Sequence, residues 1–273
     1  MARVKELRST VLVVSGLVAM AHLCQPAVAA QPAVSYSTYF GGAQVDAATA
    51  VATDANGNIY VAGWTESVDL APTVAPQLRG SGVDAFVVKL NAAGTLVFLT
   101  VFGGSSEDKA FGIALDRSGN IYVAGSTTSP NFPITSGSML RGSMDAFLMR
   151  LTPAGQVASS VLYGGDQAEA AYGVATDASG NVFITGETSS SNLPVLPVST
   201  SVFAGQIDAF AAKLSPTGGV LYSRYVGGSQ IDRAKGIAVD SSVRHTSPGE
   251  PILVISHSLR RFRLSSVAAW MPS

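Results

Sequence analysis

The stretch Ala110-Phe-Gly-Ile-Ala-Leu-Asp-Arg-Ser-Gly-Asn-Ile-Tyr-Val-Ala-Gly125 contains the pattern that decides the fold. Its two short apolar runs, Ala110 to Leu115 and Ile121 to Ala124, have the length of strands. Between them, the carboxylate of Asp116 can accept backbone N–H bonds, and Gly119 can adopt a positive φ. The stretch therefore predicts a tight β-hairpin.

The same pattern recurs along the chain with a period of about 62 residues. Three markers keep this period, and a fixed period indicates one structural unit copied in series. The markers are a Gly-Gly pair at 41–42, 103–104, 164–165 and 227–228, an Asp at Asp54, Asp116, Asp177 and Asp240, and Asp-Ala-Phe beginning at Asp84, Asp145 and Asp208.

One unit, taken from Asp84 to Met144, predicts four short strands. Asp84 to Leu90 alternates with a strand period, and Leu96 to Phe102 is rich in β-branched and aromatic residues. The hairpin strands follow, and a loop from Gly125 to Met144 leads to the next unit. No helical period occurs in residues 36–240. We therefore expect an all-β fold, a β-propeller built from four-stranded blades of about 62 residues, with a β-sandwich as the main alternative.

These residues also carry a family resemblance. The string Tyr-Phe/Gly-Gly, then an acid, then Gly-Ile-Ala-Leu-Asp-x-x-Gly-Asn-Ile-Tyr-Val-Ala-Gly resembles the bacterial SBBP repeat, a seven-bladed β-propeller repeat. The resemblance covers residues 36–240 and implies a secreted or surface protein.

The number of units present predicts an incomplete or partly open propeller. Counting strands from Ser37 gives fourteen, or about 3.5–4 blades, and closed propellers need about four to eight. Blades are stable through their neighbours. We therefore expect a distorted ring, self-association through open blade edges, or low stability.

The ends of the chain differ from the repeats. Residues 1–30 predict a signal peptide, with Arg3, Lys5 and Arg8 before an apolar stretch and an Ala-x-Ala site at 27–29, although a retained anchor is the alternative. Cleavage removes Cys24, the single cysteine, and leaves no membrane span. We expect a secreted protein, either extracellular or periplasmic, and association with the cell surface is compatible with this expectation.

The repeats occupy residues 31–240, and the pattern stops at Asp240. Residues 241–273 form an atypical basic tail, which we expect to be mostly disordered with a strand at 252–256. An abrupt change of composition within a motif indicates a frameshift or truncation. A native tail, whose strand replaces the missing one, is the alternative.

The composition of the repeats excludes several kinds of chemistry. His245 and His257 lie in the tail, so the repeats contain neither histidine nor, after cleavage, cysteine. Zinc sites, Ser-His-Asp triads and Cys-His pairs need those side chains. Residues 31–240 carry ten Lys/Arg against sixteen Asp/Glu, a net charge of −6, which argues against nucleic acid. We expect no catalytic residue and no cofactor.

Repeated acids are the remaining candidates for a metal or catalytic site. One follows each Gly-Gly pair by four residues, at Asp46, Asp108, Glu169 and Asp232. Such an arc could bind a cation or supply paired carboxylates for glycoside chemistry. The alternative is that each acid accepts backbone N–H groups of its own turn. We expect Asp84, Asp145 and Asp208 to be turn residues at the start of a blade.

The long loops, interpreted as non-repeating connections between blades, supply the interaction candidate. Trp64 stands where the other units have Ser126 and Glu187, at the predicted start of a loop. A lone tryptophan there indicates either an interaction residue or packing under the loop.

Two functional hypotheses follow from these observations. The first is a non-catalytic binding or scaffold module for an unknown protein or glycan ligand. The second is a polysaccharide-active hydrolase or lyase that uses the repeated acids. A non-functional gene fragment is a third interpretation.

Overall fold

The computed structural model describes residues 37–70, 73, 78–137, 139–195, 201–239 and the strand 253–257. Tyr39–Ser273 form one compact unit. All regular elements among its described residues are β-strands, which confirms the all-β prediction. The described part of the chain holds no helix long and apolar enough to cross a membrane. The signal peptide predicted over 1–30 lies outside the described residues.

Fourteen strands are described, most of them six to eight residues long. Their bounds are β1 Asp46–Thr53, β2 Ile59–Thr65, β3 Asp84–Leu90, β4 Leu96–Phe102, β5 Asp108–Leu115, β6 Ile121–Thr127, β7 Asp145–Leu151, β8 Val157–Tyr163, β9 Glu169–Thr176, β10 Val182–Thr188, β11 Asp208–Leu214, β12 Val220–Val226, β13 Ala234–Val239 and β14 Leu253–His257.

The strands form three four-stranded antiparallel sheets and a two-stranded one, each in chain order. The sheets are β1–β4, β5–β8, β9–β12 and β13–β14. The predicted count of about three and a half blades is therefore confirmed. Residues 37–40, which were expected to belong to a strand, lie outside the strands.

The limits of a blade differ from the predicted ones. We expected a blade to begin at Asp84 and the long loop to separate two blades. Instead, the long loops join the second and third strands of one sheet, and the Gly-Gly segments join one sheet to the next. The reason is that a repeat has no marked beginning: any cyclic shift of four strands fits the same period.

The tight hairpins form as the sequence predicts. The Oδ1 atom of Asp54 accepts the backbone N–H groups of Asn56 and Asn58 at 2.9 and 3.0 Å, and its Oδ2 atom accepts the Asn58 side-chain amide at 2.7 Å. Gly57 follows with φ at 76°. Asp116 and Asp177 repeat these bonds. Each of these Asp-x-x-Gly-Asn segments is thus a tight turn.

Successive sheets pack face to face in chain order. Strand β5 contacts β1 and β2, β9 contacts β5 and β6, and β13 contacts β9 and β10. One buried cluster lies between the first two sheets, around Phe102, Phe147 and Met149. Another lies between the second and third sheets, around Tyr163, Ile184 and Phe210. The first strands of neighbouring sheets therefore lie side by side.

Each first strand contains a β-bulge at the same repeat position. The pairing register shifts between Ala48 and Ala50 in β1, and the equivalent shifts occur in β5, β9 and β13. In the three complete sheets a glycine faces the bulge, at Gly63, Gly125 and Gly186. A Cβ atom on any of them would overlap the carbonyl oxygen of the bulged strand. The last glycine of each Val-Ala-Gly or Ile-Thr-Gly run is therefore a steric requirement of the bulge.

The fourth sheet consists of two strands. Strand β14 pairs antiparallel with β13, with Ile237 opposite Ile255 and Val239 opposite Leu253. The strand expected over 252–256 thus lies at 253–257. The disorder predicted for the rest of the tail falls outside the described residues.

Gly125→Ala tests the steric requirement at the bulge. The added methyl group would overlap the Lys109 carbonyl oxygen and meet the Phe147 ring. We expect a loss of about 1–3 kcal/mol in the free energy of unfolding, the usual cost of overpacking a well-packed site. Urea denaturation measures it. Gly228→Ala, where a Cβ meets nothing within 4 Å, is the matched control. Equal stability of the two variants would contradict this account.

Candidate functional site

The repeated acid closes the junction between successive sheets. Asp108, at the start of β5, is fully buried. Its Oδ2 atom accepts the Gly104 N–H at 2.6 Å and the Ser129 hydroxyl at 2.8 Å. Ser129 in turn accepts the Ser106 N–H at 2.9 Å. One carboxyl therefore ties the Gly-Gly segment to the loop that follows β6.

The bond from the second glycine of the Gly-Gly pair recurs at the other three acids, and the hydroxyl bonds recur at Asp46 and Glu169. The Oδ2 atom of Asp46 accepts the Gly42 N–H at 2.8 Å, and its two oxygens accept the hydroxyls of Thr65 and Ser67 at 2.5 and 2.9 Å. Glu169 accepts the Gly165 N–H at 2.8 Å and the Thr188 hydroxyl at 2.6 Å. Asp232 accepts the Gly228 N–H at 2.8 Å.

The long loops contribute a repeat that was not recognised from the sequence. They begin with Thr-x-Ser-x-Asp/Asn, as Thr65-Glu-Ser-Val-Asp69, Thr127-Thr-Ser-Pro-Asn131 and Thr188-Ser-Ser-Ser-Asn192. The last residue of each motif accepts the N–H that follows the Gly-Gly pair, at 2.8–3.1 Å. Aligning the units on Gly-Gly would have found this motif. It escapes recognition when the loops are interpreted as non-repeating.

A second carboxyl lies on the other side of each of the later Gly-Gly segments. Asp84, Asp145 and Asp208 begin the third strand of a sheet, so they do not start a blade. They accept backbone N–H groups of the preceding turn, as Asp145 does from Arg141 at 3.0 Å. The expectation that they are turn residues is correct in this respect. A Cβ atom at Gly103 would overlap a carboxyl oxygen of both Asp84 and Asp108, so the two carboxyl groups lie close to that glycine.

Burial determines the ionisation of these acids. It raises the pKa values of Asp84, Asp108, Asp145 and Asp208, and the hydrogen bonds that they accept only partly oppose it. Burial also acts to raise the pKa of the less buried Asp46. There the bonds from Thr65, Gly42 and Ser67 prevail, and the pKa is lowered.

Burial closes three of these acids to a substrate, whereas Asp46 and Asp232 are partly exposed. Asp84, Asp108 and Glu169 are each 0% exposed, so no sugar can reach their oxygens. Among the described residues, no three His, Cys, Asp or Glu side chains come together as a metal site requires. The arrangement of the acids matches their role in the turns and junctions.

The residues that differ between units lie at the bulges. The bulged positions hold Thr49, Phe111, Tyr172 and Lys235, which we call the bulge row. Thr49 donates to the Ala110 carbonyl at 2.7 Å, and the rings of Phe111 and Tyr172 are 5.2 Å apart. The Lys235 ammonium lies 3.1 Å from the Tyr172 ring centroid. The bulged side chains of the second, third and fourth sheets therefore contact one another in series, and Thr49 is bonded to the backbone next to Phe111.

A polar group fixes the Tyr172 end of the bulge row. The Tyr172 hydroxyl donates to Oε1 of Glu187 at 2.7 Å, and Arg233 Nε donates to Oε2 of the same carboxylate. Burial and the bond to Glu187 raise the pKa of Tyr172, so its hydroxyl keeps its proton. The three side chains come from two sheets, and their counterparts in the other described units do not repeat this arrangement.

Trp64 lies within β2, not at the start of a loop. It pairs with Ala47 and Ala85 on the neighbouring strands, and the Lys109 ammonium lies 5.2 Å from its ring. Lys109 also pairs with Glu107 at 2.8 Å. Since Trp64 is only partly buried, it remains an interaction candidate beside the bulge row.

Comparison with known families identifies the repeat. The SBBP β-propeller repeat matches three times, over residues 35–70, 98–133 and 160–194. The chain therefore contains three matches to the SBBP β-propeller repeat. The second and third matches run from the last strand of one sheet across the Gly-Gly segment to the Thr-x-Ser motif, so the family pattern is centred on the junction between sheets.

Other comparisons add little to this assignment. No curated protein matches the chain. Among solved structures, a candidate gluconolactonase is 16% identical, with 72% of this chain and 84% of that chain covered. Its TM-score is 0.25, and at that value the likeness supports no conclusion about the present chain.

Asp108→Asn tests the junction network. The amide keeps one oxygen for the Gly104 N–H and the Ser129 hydroxyl, which both bond to Oδ2, but it places a buried NH2 group where Oδ1 lies, and the described hydrogen bonds give that position no acceptor. We expect unfolding to become easier by about 1–3 kcal/mol, measured by urea denaturation. Asp166→Asn, an exposed change in the equivalent segment before β9, is the control. If Asp108→Asn is as stable as the control, the network does not hold the junction.

Asp145 predicts an unusual dependence of stability on pH. Its pKa is raised from the ordinary value of 3.8, chiefly by burial. Its stabilising contribution is therefore complete below that value and is lost as the pH rises through the folded-state pKa. An asparagine at this position cannot titrate. The stability advantage of the wild type over Asp145→Asn should be larger at pH 4 than at pH 7, as measured by urea midpoints. The opposite trend would contradict the raised pKa.

Proposed function

We propose that the chain is a non-catalytic binding module, exported from the cell, whose ligand contacts the bulge row. The observation that carries this proposal is that two kinds of repeat position differ in their role. Residues shared by all units hold the sheets together, and the bulged positions carry a different side chain in each unit. A β-bulge re-aims its side chain and is favoured near functional sites.

The chemistry of the bulge row supports binding over turnover. Glu187 is the carboxylate nearest to it, and both of its oxygens already accept a hydrogen bond, from Tyr172 and Arg233. A general acid needs a titrating proton within reach of substrate, and the buried acids at the junctions cannot supply it. Partly exposed aromatic rings with a neighbouring cation are instead suited to recognition.

Export is proposed from residues 1–30. The charged start, the apolar stretch and the Ala-x-Ala site support cleavage near Ala29 or Ala30. N-terminal sequencing of exported protein should begin at Ala30 or Gln31. An exported chain that retains Met1 would contradict cleavage.

Removing the Tyr172 ring should weaken ligand binding. In a glycan panel assayed for both binding and released products, we expect the wild type to bind without releasing products. Tyr172→Ala should bind at least about tenfold more weakly, a loss of about 1.4 kcal/mol. Tyr222→Ala, on the outer strand β12, is the matched control.

Two results would contradict the proposal. Release of products that Asp108→Asn abolishes would favour the hydrolase or lyase alternative. If Tyr172→Ala binds as the wild type does and its melting temperature is also unchanged, the ligand does not contact the bulge row.

A further inference from the structure

We infer that two copies of the chain associate head to tail, with the fourth sheet of one copy packed on the first sheet of the other. Within one copy the sheets pack in series, β1 on β5, β5 on β9 and β9 on β13, and the series is not continued from β13 to β1. Each end of the series therefore has one face without a neighbouring sheet in the described part of the chain. The inference does not depend on the proposed function, because it uses other residues than the bulge row.

The free face of the first sheet carries, in β1, a side chain that the next two sheets bury. Val51 in β1, Ile113 in β5 and Val174 in β9 occupy the same repeat position. Ile113 and Val174 are each 9% exposed, whereas Val51 is 66% exposed. Val174 packs against the preceding sheet, since a Cβ atom at Gly112 would lie 3.3 Å from its side chain. Val51 therefore occupies a position of sheet contact without a described sheet against it.

The second strand of the first sheet shows the same difference. Ile59 and Val61 in β2 are only partly buried. Their counterparts in β6, Ile121 and Val123, are completely buried in the cluster between the first two sheets. The free face of the first sheet thus includes both β1 and β2.

The extent of this free face matches a two-stranded sheet. On the same side of the first sheet, Phe86 in β3 and Val101 in β4 are buried in a cluster that contains Leu70. Only the first two strands are therefore open to a partner. The fourth sheet consists of β13 and β14, which are the first two strands of a unit, so a second copy offers a sheet of the required width.

The fourth sheet also has the small residues that this contact requires. The face that a sheet turns to the next one carries small side chains, which leave room for a β-branched residue such as Val174. Ala238 is exposed on this face of β13, and Gly236 beside it is partly buried. The same two positions are Ala50 and Ala52 in β1, and Gly112 and Ala114 in β5. One chain therefore carries both halves of an uncharged sheet contact, which makes its association heterologous.

A head-to-tail pair can close into a ring. Each copy supplies four sheets, and a pair has about eight, within the range of closed propellers. Both junctions of the pair are then the same contact, and no free face remains for a third copy. Heterologous association that closes in this way stops at a defined number of copies, so we expect a dimer.

Sedimentation velocity of the purified protein over a range of concentrations tests the inference. We expect the wild type to reach twice the mass of one chain and no more. Val51→Asp and Ala238→Asp should each raise the dissociation constant at least about a hundredfold, because the contact would bury an unpaired carboxylate. Val202→Asp, at a valine that is exposed in the loop before β11, is the matched control and should associate as the wild type does. All three positions are exposed in a single chain, so the melting temperatures of the dissociated variants should match.

A mixture of the two Asp variants tests the head-to-tail arrangement. A pair with one copy of each variant keeps one junction in which both faces are native. The mixture should therefore associate more tightly than either variant alone.

Four results would overturn the inference. A wild type that is monomeric at every concentration would mean that the free face of the first sheet is covered from within the chain. Growth beyond two copies would contradict the closed ring. Dissociation by Val51→Asp but not by Ala238→Asp would mean that two first sheets meet each other. A mixture that associates no more tightly than its components would exclude the head-to-tail contact.

Discussion

The repeated carboxyl at or just before the start of each sheet, at Asp46, Asp108, Glu169 and Asp232, is the constraint on which the rest of the structure depends. A Gly-Gly segment must leave one sheet and begin the next, and its N–H groups lie outside any strand ladder. Unpaired buried N–H groups cost about 1–3 kcal/mol each. Asp46, Asp108 and Glu169 accept these groups and bind the hydroxyls of the following Thr-x-Ser motif. Sheet stacking and the side-by-side placement of the first strands follow from this arrangement.

Each bulge places one side chain at the same position of its sheet, and the type of that side chain differs from unit to unit. The backbone distortion depends on a glycine opposite the bulge, such as Gly125, and the bulged side chain itself is not constrained by it. Threonine, phenylalanine, tyrosine and lysine therefore occupy one structural position in four sheets. The acids at the junctions are repeated, and Asp108 and Glu169 among them are fully buried. The residues of the bulge row are unique and accessible.

Much of the fold was predictable because its signals are local. The Asp54, Asp116 and Asp177 hairpins need only five consecutive residues, and the period required only counting. The limits of a blade were not predictable, since a period can be cut at any strand. The bulge row was missed for a different reason. Phe111 and Tyr172 lie 61 positions apart, which is one repeat, but they share no residue type, so the sequence pattern gives their common position no visible role. Trp64 attracted attention by its rarity, although its strand position links it to the same surface.

The hydrogen bonds that close a junction all arise within a short stretch of chain. Those of Asp46 and its partners span 4 to 26 residues, from Gly42 to Asp69. The aromatic contacts between sheets span more, 45 residues for Phe102 and Phe147 and 61 for Phe111 and Tyr172. Low sequence separation favours fast formation, and chains emerge from the ribosome from the N-terminus onwards. The hydrogen bonds around the first hairpin of each unit can thus form before the next unit has been synthesised. The next unit then packs against a sheet that has already folded, and this order of synthesis limits wrong pairing between similar units.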